Sequence, residues 1–242
     1  MSVFAREITE FWRRTFLSGD VLRRDDGFIV SVNPDLSDEN RVMVLEAIDG
    51  QAMAVLTPAL ADRLDLAQRP DLSEPGFRRI LAEASVTLNG ADYLFYFPEA
   101  CRNSLLRDKV TGDLRQLTAR DEAVFGAFED AASKQDLDDA YVELDHWAVF
   151  GAFEQGRLVC AASMYPWEDA PIADTGVLTL PAFRGKGHAR NVVRAISRYA
   201  YEQGLEPQYR CQLDNQASGA LAKAAGLTLF GKWQVVSPDS AN

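Results

Sequence analysis

The sequence predicts a mixed α+β chain in two parts, residues 1–112 and 113–242, with sheet strands flanked by helices. Three observations carry this reading. Apolar residues recur at helical spacing in some segments and alternate with period two in others. The first part runs through strands and then helices, the order of an α+β module. In the second part, Asp174 to Ala189 (DTGVLTLPAFRGKGHA) passes from an apolar run through Pro181 into a basic, glycine-bearing turn and then a helix. A chain of 242 residues can bury a sizeable core as one large domain or two small ones.

Phe4, Ile8, Phe11, Trp12 and Phe16 fall at helical spacing with charged residues between them, so an amphipathic helix comes first. Ser18-Gly19-Asp20 breaks it. Short strands are expected at Phe28 to Val32, Val42 to Ala47 and Ala52 to Leu56, the last two joined across Asp49-Gly50, a hairpin dipeptide. Thr57-Pro58 opens a short helix toward Leu66, with threonine as cap and proline at the first helical position. Asp71 to Pro75 starts another, whose face is Phe77, Ile80, Leu81, Ala84 and Leu88, and Asn89-Gly90 stops it. Tyr93 to Phe97 reads as a strand ended by Pro98, and a short helix follows. No catalytic constellation occurs from Met1 to about Asp113, so this module is expected to be structural or to wall one side of a substrate cleft.

The stretch Asp174 to Ala189 carries the chemistry. Val177 to Leu180 alternate as a strand, Pro181 ends ladder donation, and Gly185 and Gly187 allow a tight bend. A turn of this kind points several N–H groups at one spot. Together with the helix dipole and the charges of Arg184 and Lys186, they suit a pyrophosphate. The run Arg184-Gly185-Lys186-Gly187-His188-Ala189 resembles the R/Q-x-x-G-x-G/A signature of the GNAT superfamily of N-acetyltransferases, with the strand and Pro181-Ala182-Phe183 preceding it in the right register. A second run, Asp214-Asn215-Gln216-Ala217-Ser218 followed by Leu221 and Gly226-Leu227, resembles the family's asparagine-led helix beside the coenzyme.

From Leu114 onward the order of elements matches the core of that family: a strand at Leu114 to Leu117, then helices at Asp121 to Ser133 and Asp136 to Leu144. A hairpin across Glu154-Gln155-Gly156 joins strands Trp147 to Phe153 and Arg157 to Tyr165. The helix after the glycine turn presents Ala189, Val192, Val193, Ile196 and Ala200 as a core stripe and ends at Gly204. Tyr209 to Leu213 is the next strand, Asn215 caps a helix that Gly226 closes, and Leu229 to Val236 is the last strand. The resemblance implies the GNAT fold over residues 113–242, a central mixed sheet that splays, with residues 1–112 as an added α+β domain.

Composition narrows the partners. Hydrophobic content of 47% and charged content of 25% match a soluble globular protein, and no apolar run approaches the roughly 20 residues of a membrane span. MSVFAREITEFWRRTF is interrupted by charges and lacks a secretory signal pattern, so a cytoplasmic protein with no membrane partner is expected. A formal net charge of −11 repels nucleic acid and attracts cationic amines, although the same charge also serves solubility. Cys101, Cys160 and Cys211 are odd in number and far apart, which argues against a disulfide framework and a zinc site, and two isolated histidines make no metal site. Oligomeric state stays open, a homodimer included.

By resemblance, acetyl-coenzyme A would lie where the strand ending at Leu180 splays from Tyr209 to Leu213, its arm bonding backbone near Val177, Leu178 and Thr179. Its pyrophosphate would take the amides of Arg184, Gly185, Lys186, Gly187, His188 and Ala189, with Asn215 and Ser218 beside the arm. The implied activity is N-acetylation of a small-molecule or peptide amine by direct attack on the thioester. Such attack needs a neutral amine, a polarised carbonyl and a proton donor for the thiolate. A backbone N–H of the splayed strand supplies the second. The tyrosine that many members carry seven residues after the motif asparagine is here Ala222, leaving Tyr165, Tyr199, Tyr201, Tyr209 and Cys211 as donors that spacing does not choose between. Cys211 also admits an acyl-enzyme.

Asp174, Glu168 and Asp169 are the candidate bases, Asp174 and Glu168 foremost. Strict alternation turns Asp174 away from Thr175 and Val177, unless a bulge of the kind the family often carries re-aims it. Thr175 is placed to hold a relaying water instead. His188 falls inside the phosphate turn, where holding anion suits it better than acting as base, and His146 is a weaker base candidate still. The second functional class is a degenerate member that holds acyl-coenzyme A as a sensor or scaffold, motivated by Ala222. A P-loop is excluded because the turn has no G-x-x-x-x-G-K-[ST] pattern.

Overall fold

The computed structural model describes residues 3–25, 27–69, 72–108, 112–167 and 170–240. Among these are eight α-helices and eleven strands. The chain forms two compact units that interleave in sequence: one holds Met1–Ile8, Phe95–Arg210 and Gln216–Thr228, the other Thr9–Leu94, Cys211–Asn215 and Leu229–Asn242.

The first segment of chain contributes α1 (Arg6–Leu17), β1 (Asp20–Arg24), β2 (Phe28–Val32), β3 (Val42–Ala47) and β4 (Ala52–Leu56). Next come α2 (Pro58–Arg63), α3 (Glu74–Glu83), β5 (Asp92–Tyr96) and α4 (Glu99–Arg107). The remainder is β6 (Leu114–Leu117), α5 (Glu122–Glu129), α6 (Lys134–Ala140), β7 (Ala148–Glu154), β8 (Arg157–Pro166) and β9 (Ile172–Thr179). Last come α7 (His188–Glu202), β10 (Glu206–Gln212), α8 (Gln216–Ala225) and β11 (Thr228–Val235).

In the unit built mainly from residues 9–94, β2 and β4 run parallel, and β4 pairs antiparallel with β3, which in turn pairs antiparallel with β11. One face packs Phe28, Val30, Val44 and Leu56 against Leu60 and Leu64 of the α2 segment and Phe77, Ile80 and Leu81 of α3. Thr57 caps α2 by accepting the Leu60 amide at 3.4 Å, and Ser73 caps α3 by accepting that of Gly76 at 3.2 Å. Trp12 of α1 is buried against Phe16, Phe230 and Trp233, with ring centroids 6.1–6.2 Å apart. Three local expectations shift. The α3 helix ends before Ser85, whose φ of +57° breaks it, and not at Asn89-Gly90. The segment toward Leu66 closes as a separate 3-10 turn, Leu66–Gln68. Strand β1, mostly exposed and without an apolar alternation, had no sequence signal.

In the other unit, β6 to β9 form an antiparallel meander and β10 returns parallel to β9 after α7. One face packs Ala148, Phe150, Cys160, Ala162 and Ala173 under Val192, Ala195, Ile196 and Ala200 of α7. The opposite face packs Val149, Ala161, Leu178 and Leu180 under Phe125 and Phe128 of α5 and Leu137 of α6. Both helices on that side are shorter than expected, ending at Glu129 and Ala140. The end of α6 lies directly on β9, because a Cβ added at Gly176 would stand 2.2 Å from the Ala140 carbonyl oxygen.

Candidate active site

Strand β9 is the frame of the site. It pairs with β8 along its length, from Pro166/Ala173 to Cys160/Thr179, without a register shift. With β10 it pairs only from Ile172/Glu206 to Thr175/Tyr209, although β9 runs on to Thr179. The β9 edge from Gly176 to Thr179 is thus released from β10, which is the splay expected of the fold. Val177 packs toward the α7 face and Leu178 toward the α5 and α6 face. The Thr179 hydroxyl donates to the Cys160 sulfur at 3.1 Å, and the Thr179 carbonyl accepts Arg184 Nε at 3.0 Å.

Leu180 leads into a 3-10 turn, Pro181–Phe183, and the chain then bends through Gly185 (φ +78°) and Gly187 (φ +87°) into α7. Both glycines occupy the left-handed region, which other residues enter at a cost. A Cβ at Gly185 would meet nothing within 4 Å, and one at Gly187 only the tip of Arg190 at 3.7 Å, so the space over the turn is open. No acceptor among the described residues takes the amides of Gly185, Lys186, Gly187, His188, Ala189 or Arg190. Unbonded donors at a helix N-terminus, beside the open space over Gly185 and Gly187, fit an anion of pyrophosphate type. The Arg184 amide is different, being bonded to the Pro181 carbonyl at 3.3 Å.

The side chains around the turn are tied to carboxylates. Arg184 Nη2 lies 3.0 Å from Asp136, Lys186 Nζ 2.9 Å from Glu154, and His188 Nε2 2.6 Å from Glu154. Hydrogen bonds from Lys186 and His188 hold the Glu154 carboxyl below its usual range. Lys186 also sits 4.8 Å over the Phe183 ring. An incoming phosphate therefore meets unengaged amides and must share the cations with Asp136 and Glu154. Asn215 is exposed and immediately precedes α8, and Ser218 lies in its first turn. Ala222 is completely buried in α8, so the position of the family's tyrosine is a packed interior methyl.

Asp174 is buried on the Gly176 and Leu178 face, and the unbroken β8/β9 register leaves no bulge to re-aim it. Its Oδ2 accepts Arg210 Nε at 2.7 Å, Arg210 Nη2 at 2.6 Å and the Tyr165 hydroxyl at 3.2 Å, while Oδ1 accepts Gln208 Nε2 at 3.2 Å. Gln208 Oε1 in turn accepts the Tyr96 hydroxyl. Burial, then the Asp174 charge, pushes Tyr165 up to about 12, so it stays a proton donor at neutral pH. Arg210 also stacks 5.3 Å over Trp167. Glu168 and Asp169 lie outside the described residues. Burial pushes Cys211 up to about 11 and Cys160 up to about 12, so both are thiols at neutral pH.

Of the five donor candidates, Tyr165 bonds Asp174, while the Tyr199 ring lies 5.3 Å from Trp147 and 5.7 Å from Phe150. Beside Tyr165 the fold assembles residues that sequence spacing did not single out. The His146 ring lies 5.1 Å from Tyr165 and 4.9 Å from Tyr141, and His146 Nδ1 is 2.8 Å from the Ser163 hydroxyl. Tyr141 follows α6 with φ +46°, a strained value for a tyrosine. The alternating run of β8 places Ser163 and Tyr165 on one face, which was the available signal, but nothing in the sequence brought His146 to it.

Among the described residues, no group of three or more histidine, cysteine or acidic residues could hold a metal, and no helix is long and apolar enough to cross a membrane. Residues 114–227 match the family model "Acetyltransferase (GNAT) family". No curated protein matches the sequence significantly. Among solved structures, an acetyltransferase of the GNAT family from Colwellia psychrerythraea is 19% identical, covers 78% of each chain and superposes with a TM-score of 0.52. A putative GNAT acetyltransferase from Novosphingobium aromaticivorans is 15% identical over 76% of this chain and 82% of its own, with a TM-score of 0.47. Over residues 114–227 the chain thus matches the acetyltransferase domain of the GNAT family.

Proposed function

We propose that this chain is an N-acetyltransferase that moves an acetyl group from acetyl-coenzyme A to a primary amine of a small molecule or peptide, with residues 113–242 as its catalytic domain. One observation carries the reading: the β9 edge is released from β10 beyond Thr175, and the same strand leads into a turn with unengaged amides from Gly185 to Arg190. The released edge, at Val177, Leu178 and Thr179, is where an extended arm adds as a substitute strand. The amides from Gly185 to Ala189 receive the pyrophosphate, with Arg184 and Lys186 supplying charge around it, His188 set in the turn, and Asn215 and Ser218 flanking the arm.

A backbone N–H of the released edge polarises the thioester carbonyl, so an amine attacks without a side-chain electrophile. Asp174 enters the proposal as an orienting group, since its oxygens are occupied by Arg210, Gln208 and Tyr165. Glu168, outside the described residues, is kept as an alternative base. The buried Ala222 and the fully engaged Asp174 favour a second reading, in which the chain binds acyl-coenzyme A without turnover. Thiol release from acetyl-coenzyme A across a panel of amines separates the two. Acceptor-dependent release supports transfer; tight coenzyme binding with no release on any amine supports the binding-only reading. Absence of acyl-coenzyme A binding contradicts both.

A further inference from the structure

The geometry points to His146 as the group that carries the transferred proton, an inference that rests on the acetyltransferase reading above. Ser163, its partner, is paired at the Cα level with Gly176, the first β9 residue beyond the β10 ladder. The imidazole therefore stands one strand away from the start of the released edge. It is on the face toward α6, since the opposite face is closed by the apolar packing of α7. On that face the side chains gathered around it are Tyr141, Glu143, Ser163 and Tyr165, with Asp174 and Arg210 behind Tyr165.

The hydrogen bonds of Ser163 fit an Nδ1–H tautomer. Ser163 Oγ accepts the Glu143 amide at 3.3 Å and donates to the Tyr141 carbonyl at 3.4 Å. Its remaining lone pair, 2.8 Å from His146 Nδ1, accepts Nδ1–H. Nε2 is then left with its lone pair. Glu143 Oε2 is 3.6 Å from it, too far to count as a hydrogen bond but near enough to stabilise an imidazolium. The histidine side chain keeps 10% of its surface exposed.

The step balances with this one residue. The neutral amine attacks the thioester carbon, the N–C bond forms, and the nitrogen's surplus proton passes to Nε2. As the C–S bond breaks, the imidazolium returns that proton to the sulfur, giving amide and free thiol. The proton lost by nitrogen is the one gained by sulfur, so no tyrosine is needed at the position held by Ala222.

Two measurements test this on the full chain. In ¹⁵N NMR of the neutral imidazole, His146, assigned by the loss of its signals in His146→Gln, should be the Nδ1–H tautomer; an Nε2–H tautomer overturns the assignment. With an acceptor found in the amine panel, His146→Gln should lower kcat/KM by roughly 100-fold or more, the usual worth of general acid–base catalysis, and should abolish the acidic limb of the pH profile. Its coenzyme Kd should stay within about twofold of the wild type, the mark of an effect confined to proton transfer. Ser163→Ala keeps the imidazole but frees it, so it should give a smaller loss with the acidic limb shifted. Activity of His146→Gln within threefold of the wild type, with the limb intact, overturns the inference alone. A wild-type chain that binds coenzyme and turns over no amine removes the acetyltransferase reading and this inference together.

Discussion

Replacing Gly176 by alanine tests how α6 is held on β9, and through it the placement of Tyr141 and His146. An added Cβ would stand 2.2 Å from the Ala140 carbonyl oxygen and 2.9 Å from that of Tyr141, where ordinary contact begins at 3.4 Å. The end of α6 must therefore retreat by about 1.2 Å. Two effects oppose each other. Alanine restricts the unfolded chain and by that route stabilises by about 0.4–1 kcal/mol. Forcing a backbone carbonyl out of a packed interface costs about 1–3 kcal/mol. The clash wins, and Gly176→Ala should lose about 1–2 kcal/mol in urea unfolding followed by circular dichroism, with an unchanged m-value.

Gly219→Ala is the matched control, because it lies inside α8 and its Cβ would meet nothing within 4 Å. It should gain about 0.5–1 kcal/mol from helix propensity. Should Gly176→Ala prove as stable as the wild type while Gly219→Ala gains, α6 does not end on β9 as described. The same retreat draws the Tyr141 carbonyl away from Ser163, so Gly176→Ala should also lose turnover while keeping coenzyme affinity.

Two further outcomes follow from the charges. Glu206 is buried at the start of β10, with Oε1 accepting Arg102 at 3.0 Å, and burial pushes its carboxyl up to about 7 against the opposing pull of Arg102. A carboxyl raised in the folded state favours folding when protonated, so this contribution is full below the ordinary glutamate range and fades as pH rises through 7. Comparing urea stability between pH 5 and 8, Glu206→Gln should be flatter than the wild type; identical slopes would refute the buried acid. At the turn, Glu154→Gln should release Lys186 and His188 toward the coenzyme and raise affinity several-fold at low salt, with the gain shrinking as salt is added. Weaker binding in calorimetry would mean that Glu154 holds those cations in their useful positions.

What the sequence made legible divides along local and nonlocal lines. Val42 to Ala47 and Ala52 to Leu56 are strands at the residues expected, because apolar strand formers flank a hairpin dipeptide and both signals are local. The glycine turn was readable for the same reason: left-handed positions at Gly185 and Gly187 leave a mark in the sequence itself. The environment of Asp174 was not. Its partners Tyr165, Gln208 and Arg210 lie on neighbouring strands, and only the register of β8, β9 and β10 brings them to one carboxylate. His146 ranked last among the base candidates because its significance depends on a hydroxyl 17 residues away across a strand. The early end of α3 at Ser85 had no signal, since serine rarely takes a positive φ.

The most direct test of the central claim is a calorimetric titration of acetyl-coenzyme A into the wild-type chain and into Gly187→Glu. Glutamate at this left-handed position strains the turn, and its carboxylate would stand among the amides assigned to the pyrophosphate. A like charge at contact distance costs about 1–4 kcal/mol near a protein surface, which corresponds to at least about a fivefold loss of affinity. The account predicts saturable binding to the wild-type chain and strongly weakened or undetectable binding to the folded variant. Equal affinity in the two proteins, or no binding to the wild type, contradicts it.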